Sequence, residues 1–366
     1  MIGSESSNTE SSNYMDGNKD VFLEVKGLKT HFFTNEGVVK AVDGADFQIQ
    51  RGGTVCLVGE SGCGKSVTAR AILQIVDKPG RIVEGEILMH RRDGKVVDLA
   101  KLNPGSRRMR AIRGKEIAMI FQEPMSSLSP VHTIGNQIME PIHLHFDVEK
   151  EEARNRAIDL LKRVGIPKAE QRLDAYVFQL SGGMRQRAMI AMALSCQPNL
   201  LIADEPTTAL DVTTQAIILD LIKELQADLN MTILFITHDL GVVAEIADRV
   251  VVMYLGKAVE SGSVDAIFHD PKHPYTRALH KSIPKLGESD KGRLDTIRGM
   301  VPHPFARPQG CTFHPRCDNF MPGVCDRIDP PIISMGEGVD VRCLLYGGRE
   351  SEQPASSEGK EEANGN

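Results

Sequence analysis

Short apolar runs alternate with stretches of helical spacing over most of this chain. Residues 55–58, 117–121, 200–203, 232–236 and 250–253 are brief, continuous apolar runs, the pattern of strands buried on both faces. Residues 22–25 and 47–49 alternate apolar and polar positions, as half-buried strands do. Residues 66–76, 153–164, 181–194 and 213–229 read as helices. Such alternation predicts an α/β domain with a largely parallel core sheet.

The pattern closes near Asp270-Pro271. Beyond it Pro and Gly are frequent, four cysteines appear and regular periodicity fades. Residues 21–271 are therefore expected as the main domain and 272–347 as an appended module. Residues 1–20 and 348–366 are polar, with little to bury, and are expected as a disordered arm and tail.

Composition narrows the partners. The 366 residues carry a net charge of −6, 5% aromatics and no Trp, which argues against nucleic acid. No apolar run approaches the ~18 residues of a membrane span, and the polar N-terminus lacks a signal-peptide core. The expectation is a cytosolic protein, whose seven cysteines are thiols or metal ligands rather than disulfides.

The chemistry starts at Gly59-Glu60-Ser61-Gly62-Cys63-Gly64-Lys65-Ser66, followed by Val67. The strand at 55–58 enters this stretch and a helix leaves it, the context of a phosphate-binding loop. Glycines let successive N–H groups curl round phosphate oxygens, and the helix N-terminus adds partial positive charge. Lys65 can reach the β- and γ-phosphates, and the Ser66 hydroxyl can ligate Mg²⁺. Cys63 occupies a variable slot and is read as a spectator; Cys196 is read as a packing residue.

Two further motifs complete a nucleotide site. The strand at 200–203 ends in Asp204, placed to hold Mg²⁺, and Glu205, placed as general base toward water beside the γ-phosphate. Leu180-Ser181-Gly182-Gly183 opens a helix and forms a second anion cradle, about 120 residues from the first. One nucleotide does not need two cradles.

The phosphate loop, Gln122, Leu180-Ser181-Gly182-Gly183, Asp204-Glu205, Thr208-Ala209-Leu210-Asp211 and His238 occur in that order. This set closely resembles the ATPase subunits of ABC transporters over residues 21–271. The resemblance implies a P-loop ABC ATPase fold with a RecA-like core, an antiparallel β subdomain and a helical subdomain. It implies head-to-tail dimers in which Ser181, Gly182 and Gly183 serve the partner's ATP. Gln122 would contact Mg²⁺ and link the site to membrane subunits, Asp211 would lie in the loop crossing the dimer interface, and His238 would touch the γ-phosphate. Phe32 lies where the family puts an aromatic ring against adenine, with Phe33 beside it.

His273-Pro274-Tyr275-Thr276-Arg277-Ala278-Leu279 and the text around Cys311 and Cys317 resemble the C-terminal region of oligopeptide and dipeptide importer ATPases. Cys311, Cys317, Cys325 and Cys343 have 5, 7 and 17 residues between them. This spacing leaves zinc and iron–sulfur open; the resemblance implies a structural 4Fe-4S cluster.

The expectation is thus an ATP-hydrolysing subunit of a peptide importer, peripheral on the cytoplasmic face of the membrane. Its implied partners are a second, homologous ATPase, two permeases and, indirectly, an extracytoplasmic binding protein. Nickel or another small solute is the alternative cargo. A soluble ABC-type ATPase acting on DNA or ribosomes is the rival; one cassette and no basic stripe argue against it.

Overall fold

The structure is a computed structural model that describes residues 21–122, 127–208, 210–282 and 297–347. The expected arm and tail lie outside the described residues, as does Ala209. Strands β1 (Val21–Thr34) and β2 (Gly37–Gln50) form a long hairpin, and β3 (Thr54–Val58) runs into the glycine loop and helix α1 (Lys65–Ile72). Then come β4 (Gly80–His90), β5 (Val96–Asp98), α2 (Arg107–Ile112) and β6 (Ile117–Ile120). A helical lobe holds α3 (Ile134–His145), α4 (Lys150–Arg163), α5 (Ala169–Leu173) and α6 (Gly182–Leu194). The chain returns through β7 (Leu200–Asp204), α7 (Val212–Leu229), β8 (Thr232–Ile236), α8 (Leu240–Ile246), β9 (Arg249–Tyr254) and β10 (Lys257–Ser263). Helices α9 (Val264–His269) and α10 (Pro274–Lys281) and two short strands, β11 (Ile333–Ser334) and β12 (Asp340–Val341), complete it.

Two sheets result. One is four-stranded and antiparallel, in the order β2-β1-β4-β5. The other has the order β11-β12-β10-β9-β3-β8-β7-β6, parallel from β9 to β6. The continuous apolar runs have a physical reason, because each core strand feeds two cores. Cys56, Val58, Leu201, Ala203, Ile233 and Phe235 pack with the helical lobe. Val55, Leu57, Leu200, Ile202, Leu234 and Ile236 pack on the other face, with α1 and the antiparallel sheet. Successive side chains of a strand point to opposite faces, so both sets must be apolar.

The C-terminal segment, expected as an appended module, is tied into the main sheet. β12 pairs with β10 at Glu260↔Val341 and Ser261↔Asp340, and β11 extends that edge. Phe313 joins Tyr254 and Tyr275 in a buried aromatic triad with centroids 4.7 to 5.3 Å apart. No helix among the described residues is long and apolar enough to cross a membrane.

Candidate ATP site

The loop between β3 and α1 has the curvature its glycines allow. Gly64 caps α1 at φ 104°, and a Cβ there would lie 2.3 Å from the Ala41 carbonyl. Gly59, at φ 148°, would place a Cβ 2.2 Å from the Met253 carbonyl. Both positions combine positive φ with backbone contact, so only glycine fits. Ser61 and Gly62 are exposed at the rim, Cys63 is buried and Val67 is half-buried. The Lys65 ammonium donates to the carbonyls of Gly59 at 2.8 Å and Glu60 at 3.3 Å. It therefore lies inside the curl of the loop. Burial pushes the Cys63 thiol above its ordinary pKa, against the pull of Lys65. That environment agrees with a spectator thiol.

The strand ends bring the other expected groups to this loop. Ser66 Oγ donates to Asp204 Oδ1 at 2.9 Å across 138 residues. Asp204 is 2% exposed, and burial raises its pKa; the Ser66 bond opposes the shift and Glu205 adds to it. A buried carboxylate beside a hydroxyl at a phosphate loop is a donor pair that suits Mg²⁺. Glu205 follows at φ 47°, a left-handed conformation that a non-glycine residue holds only under constraint. The constraint is visible. Its N–H donates to the Ile236 carbonyl at 2.9 Å. Gln122 Nε2 and Thr208 Oγ1 donate to its Oε2 at 3.1 and 3.0 Å. His238 Nδ1 lies 3.3 Å from its Oε1. Lys65, Ser66, Gln122, Asp204, Glu205 and His238 thus form one connected site at the C-terminal ends of parallel strands, where open α/β sheets bind ligands.

The second cradle stands apart. Ser181 caps α6, accepting from Met184 N–H at 3.4 Å, and Ser181 and Gly182 are exposed. Gly183 is half-buried. Asp211 caps α7, accepting from Thr214 N–H at 2.9 Å and from its hydroxyl at 2.7 Å. Phe32 is half-buried against Gly80, whereas Phe33 is exposed with the Arg81 guanidinium 4.3 Å from its ring centroid. Thr208, quoted above only for the interface loop, is also a direct partner of Glu205.

Comparison with known proteins gives the family. The ABC transporter family model matches residues 42–208, and the model of the oligopeptide/dipeptide transporter C-terminal region matches residues 259–325. The oligopeptide transport ATP-binding protein AppD of Bacillus subtilis is 51% identical over 333 residues, 90% of this chain and 98% of that protein. The chain belongs to the ABC transporter family, among its peptide-import ATP-binding proteins. The dipeptide transport ATP-binding protein DppD of Escherichia coli is 46% identical over 321 residues, 88% of this chain and 95% of that protein. Among solved structures, the dimer of the ATP-binding cassette MJ0796 bound to ADP and Pi superposes with TM-score 0.58 at 26% identity. It covers 66% of this chain and 98% of that one.

One expectation for this ABC protein is not supported. Cys311, Cys317, Cys325 and Cys343 were expected to ligate a 4Fe-4S cluster. They do line one cavity, together with His273 and His314. All four are free thiols. Yet among the described residues no group of three or more His, Cys, Asp or Glu is arranged to hold a metal ion. The cavity has a free interior of about 10 Å³, room for about one water. Burial pushes the Cys311 thiol up to about 12 and the Cys317 thiol up to about 11, so both are protonated near neutral pH. The donor chemistry suits a soft metal, but the closed volume does not suit a cluster. His303 and His314 engage backbone instead: His303 Nδ1 accepts from Phe305 N–H at 3.4 Å, and His314 Nδ1 lies 2.9 Å from the Cys311 carbonyl.

Proposed function

We propose that this chain binds and hydrolyses ATP to drive import of dipeptides or oligopeptides across the cytoplasmic membrane. The observation that carries the reading is the convergence of Ser66, Asp204 and Glu205 at the rim of the phosphate loop. The peptide cargo is supported by the names of the relatives and by the matched C-terminal region.

Each residue then has a task. Lys65 and the loop N–H groups bind the β- and γ-phosphates. Ser66, Asp204 and Gln122 hold Mg²⁺, which when bound neutralises phosphate charge. Glu205 accepts a proton from the attacking water, held in place by Thr208 and Gln122, and His238 contacts the γ-phosphate. Phe32 is assigned to adenine.

The chain works as one of two ATPase subunits, the other a homologous, different chain. The exposure of Ser181 and Gly182 and the solvent-facing cap at Asp211 support a role across that interface, toward the partner's nucleotide. Docking to two permeases on the cytoplasmic face is supported by exposed apolar side chains on the helical lobe, Leu144 at 73% and Phe178 at 65%. Ser181→Arg is expected to leave ATP binding by the isolated chain unchanged. It should lower hydrolysis by the assembled complex roughly 10²-fold or more, the size of losing one transition-state donor. Titration with ATP beside a phosphate-release assay checks both halves; a loss of binding in the isolated chain would contradict the division of labour.

A further inference from the structure

The C-terminal region reaches back to the phosphate loop, and among the described residues the hydrogen bonds between them converge on Glu60. Arg316 donates through Nη1 to Glu60 Oε2 at 2.6 Å and through Nη2 to Oε1 at 3.0 Å, a bidentate pair across 256 residues. The guanidinium side chain is 4% exposed. Its Nε donates to the Arg298 carbonyl at 3.0 Å, and its carbon sits 5.8 Å from the Tyr254 ring centroid. Tyr275, fully buried in the aromatic triad, accepts from the Glu60 N–H at 2.9 Å through its hydroxyl. Glu60 is thus gripped at its backbone and at its carboxylate. Its carbonyl in turn accepts from Cys63 N–H at 3.2 Å and Lys65 Nζ at 3.3 Å, the bonds that close the loop.

A bidentate ion pair whose guanidinium is buried and whose carboxylate is half-buried differs from a surface salt bridge. It fixes angle as well as distance, and removing one partner leaves the other charge without compensation. The rotamers of Arg316 and Tyr275 are held by packing, so the loop inherits their rigidity. Phosphate binding by backbone N–H groups depends on such pre-organisation, because a loop that must first be ordered binds more weakly.

We propose that Arg316 and Tyr275 are positioning residues for ATP, through which the C-terminal region clasps Glu60 and holds the phosphate loop in its phosphate-accepting shape. The proposal rests on the reading of Gly59–Ser66 as an ATP loop. It gives the region matched at residues 259–325 a task inside the nucleotide site. Because Arg316 lies on the short turn His314–Arg316, between Cys311 and Cys317, whatever reshapes that turn is felt at the loop.

The test uses the full chain for ATP affinity and the assembled transporter for kinetics. Arg316→Gln and Glu60→Gln are each expected to raise the ATP Kd and KM about tenfold, with a smaller fall in kcat, since ground-state binding is what weakens. The double variant should be no worse than either single one, because both break the same bond. Arg316→Lys should fall between wild type and Arg316→Gln, keeping charge without the fork. Should Arg316→Gln not fold, Glu60→Gln carries the test, since it leaves the C-terminal side chains intact. Unchanged KM, or single effects that multiply in the double variant, would overturn the clasp. Wild-type chain that fails to bind ATP, or Lys65→Ala that binds as wild type does, would instead overturn the reading of the loop.

Discussion

Glu205→Gln is expected to keep ATP bound while turnover by the assembled transporter falls roughly 10²- to 10⁴-fold, the range that general-base catalysis supplies. The substitution preserves shape. Glutamine can occupy the same left-handed backbone position and still meet Thr208 and Gln122 through its carbonyl oxygen. What it lacks is the basic oxygen pair that Gln122, Thr208 and His238 orient at 3.0 to 3.3 Å. ATP affinity should change little, because the phosphate contacts belong to Lys65 and the loop. A phosphate-release assay on the complex, read beside nucleotide retained after gel filtration, checks both. Turnover within a few-fold of wild type would remove Glu205 from its role.

Lys65→Ala is expected to act on the other side of the reaction. Its ammonium is 5% exposed and lies against the Gly59 and Glu60 carbonyls, inside the curl that receives phosphate. A charge-assisted hydrogen bond to phosphate contributes about 1.5–3 kcal/mol, so ATP should bind roughly 10- to 100-fold more weakly. Hydrolysis should fall further, because γ-phosphate charge grows in the transition state. Calorimetric titration of the full chain with MgATP measures the first effect. Wild-type affinity would mean that Lys65 does not meet the phosphates. The two variants therefore separate binding from chemistry: one retains ATP and stalls, the other does not hold it.

Much of this site was legible in the sequence, for a physical reason. The strands β3, β7 and β8 each carry four consecutive apolar residues because each faces two cores, so their ends could be located and the loop, Asp204-Glu205 and His238 placed on them. Ser181 was legible as the opening of a helix, whereas the Asp211 cap on α7 is seen only in the structure. Other parts left no such trace. β4 reads Gly-Arg-Ile-Val-Glu-Gly-Glu-Ile-Leu-Met-His, half exposed and partly charged, and carries no buried-strand pattern. β10 holds Glu260 at 2% exposure, satisfied by the N–H groups of Lys272 and His273, a bond no periodicity reveals. The short strand β12 depends on β10 for its pairing, so the apolar pattern that closes near Asp270 gives no sign that the C-terminal segment extends the main sheet. Arg316 sat in plain view between two cysteines, but its partner lies 256 residues away. The cysteine spacing, finally, left zinc and iron–sulfur open, and the cluster that the family resemblance implied is not supported by the small cavity the four thiols line.

The central claim is that this chain turns ATP hydrolysis into peptide import. It is tested most directly by co-expressing the chain with the partner ATPase, permeases and binding protein proposed for it, and reconstituting the complex in proteoliposomes. Uptake of a labelled dipeptide and an oligopeptide is then followed with and without MgATP on the cytoplasmic side. The account predicts ATP-dependent accumulation of at least one of these peptides, abolished by Glu205→Gln in this chain. Accumulation that proceeds without ATP, or that persists unchanged with Glu205→Gln, would contradict it.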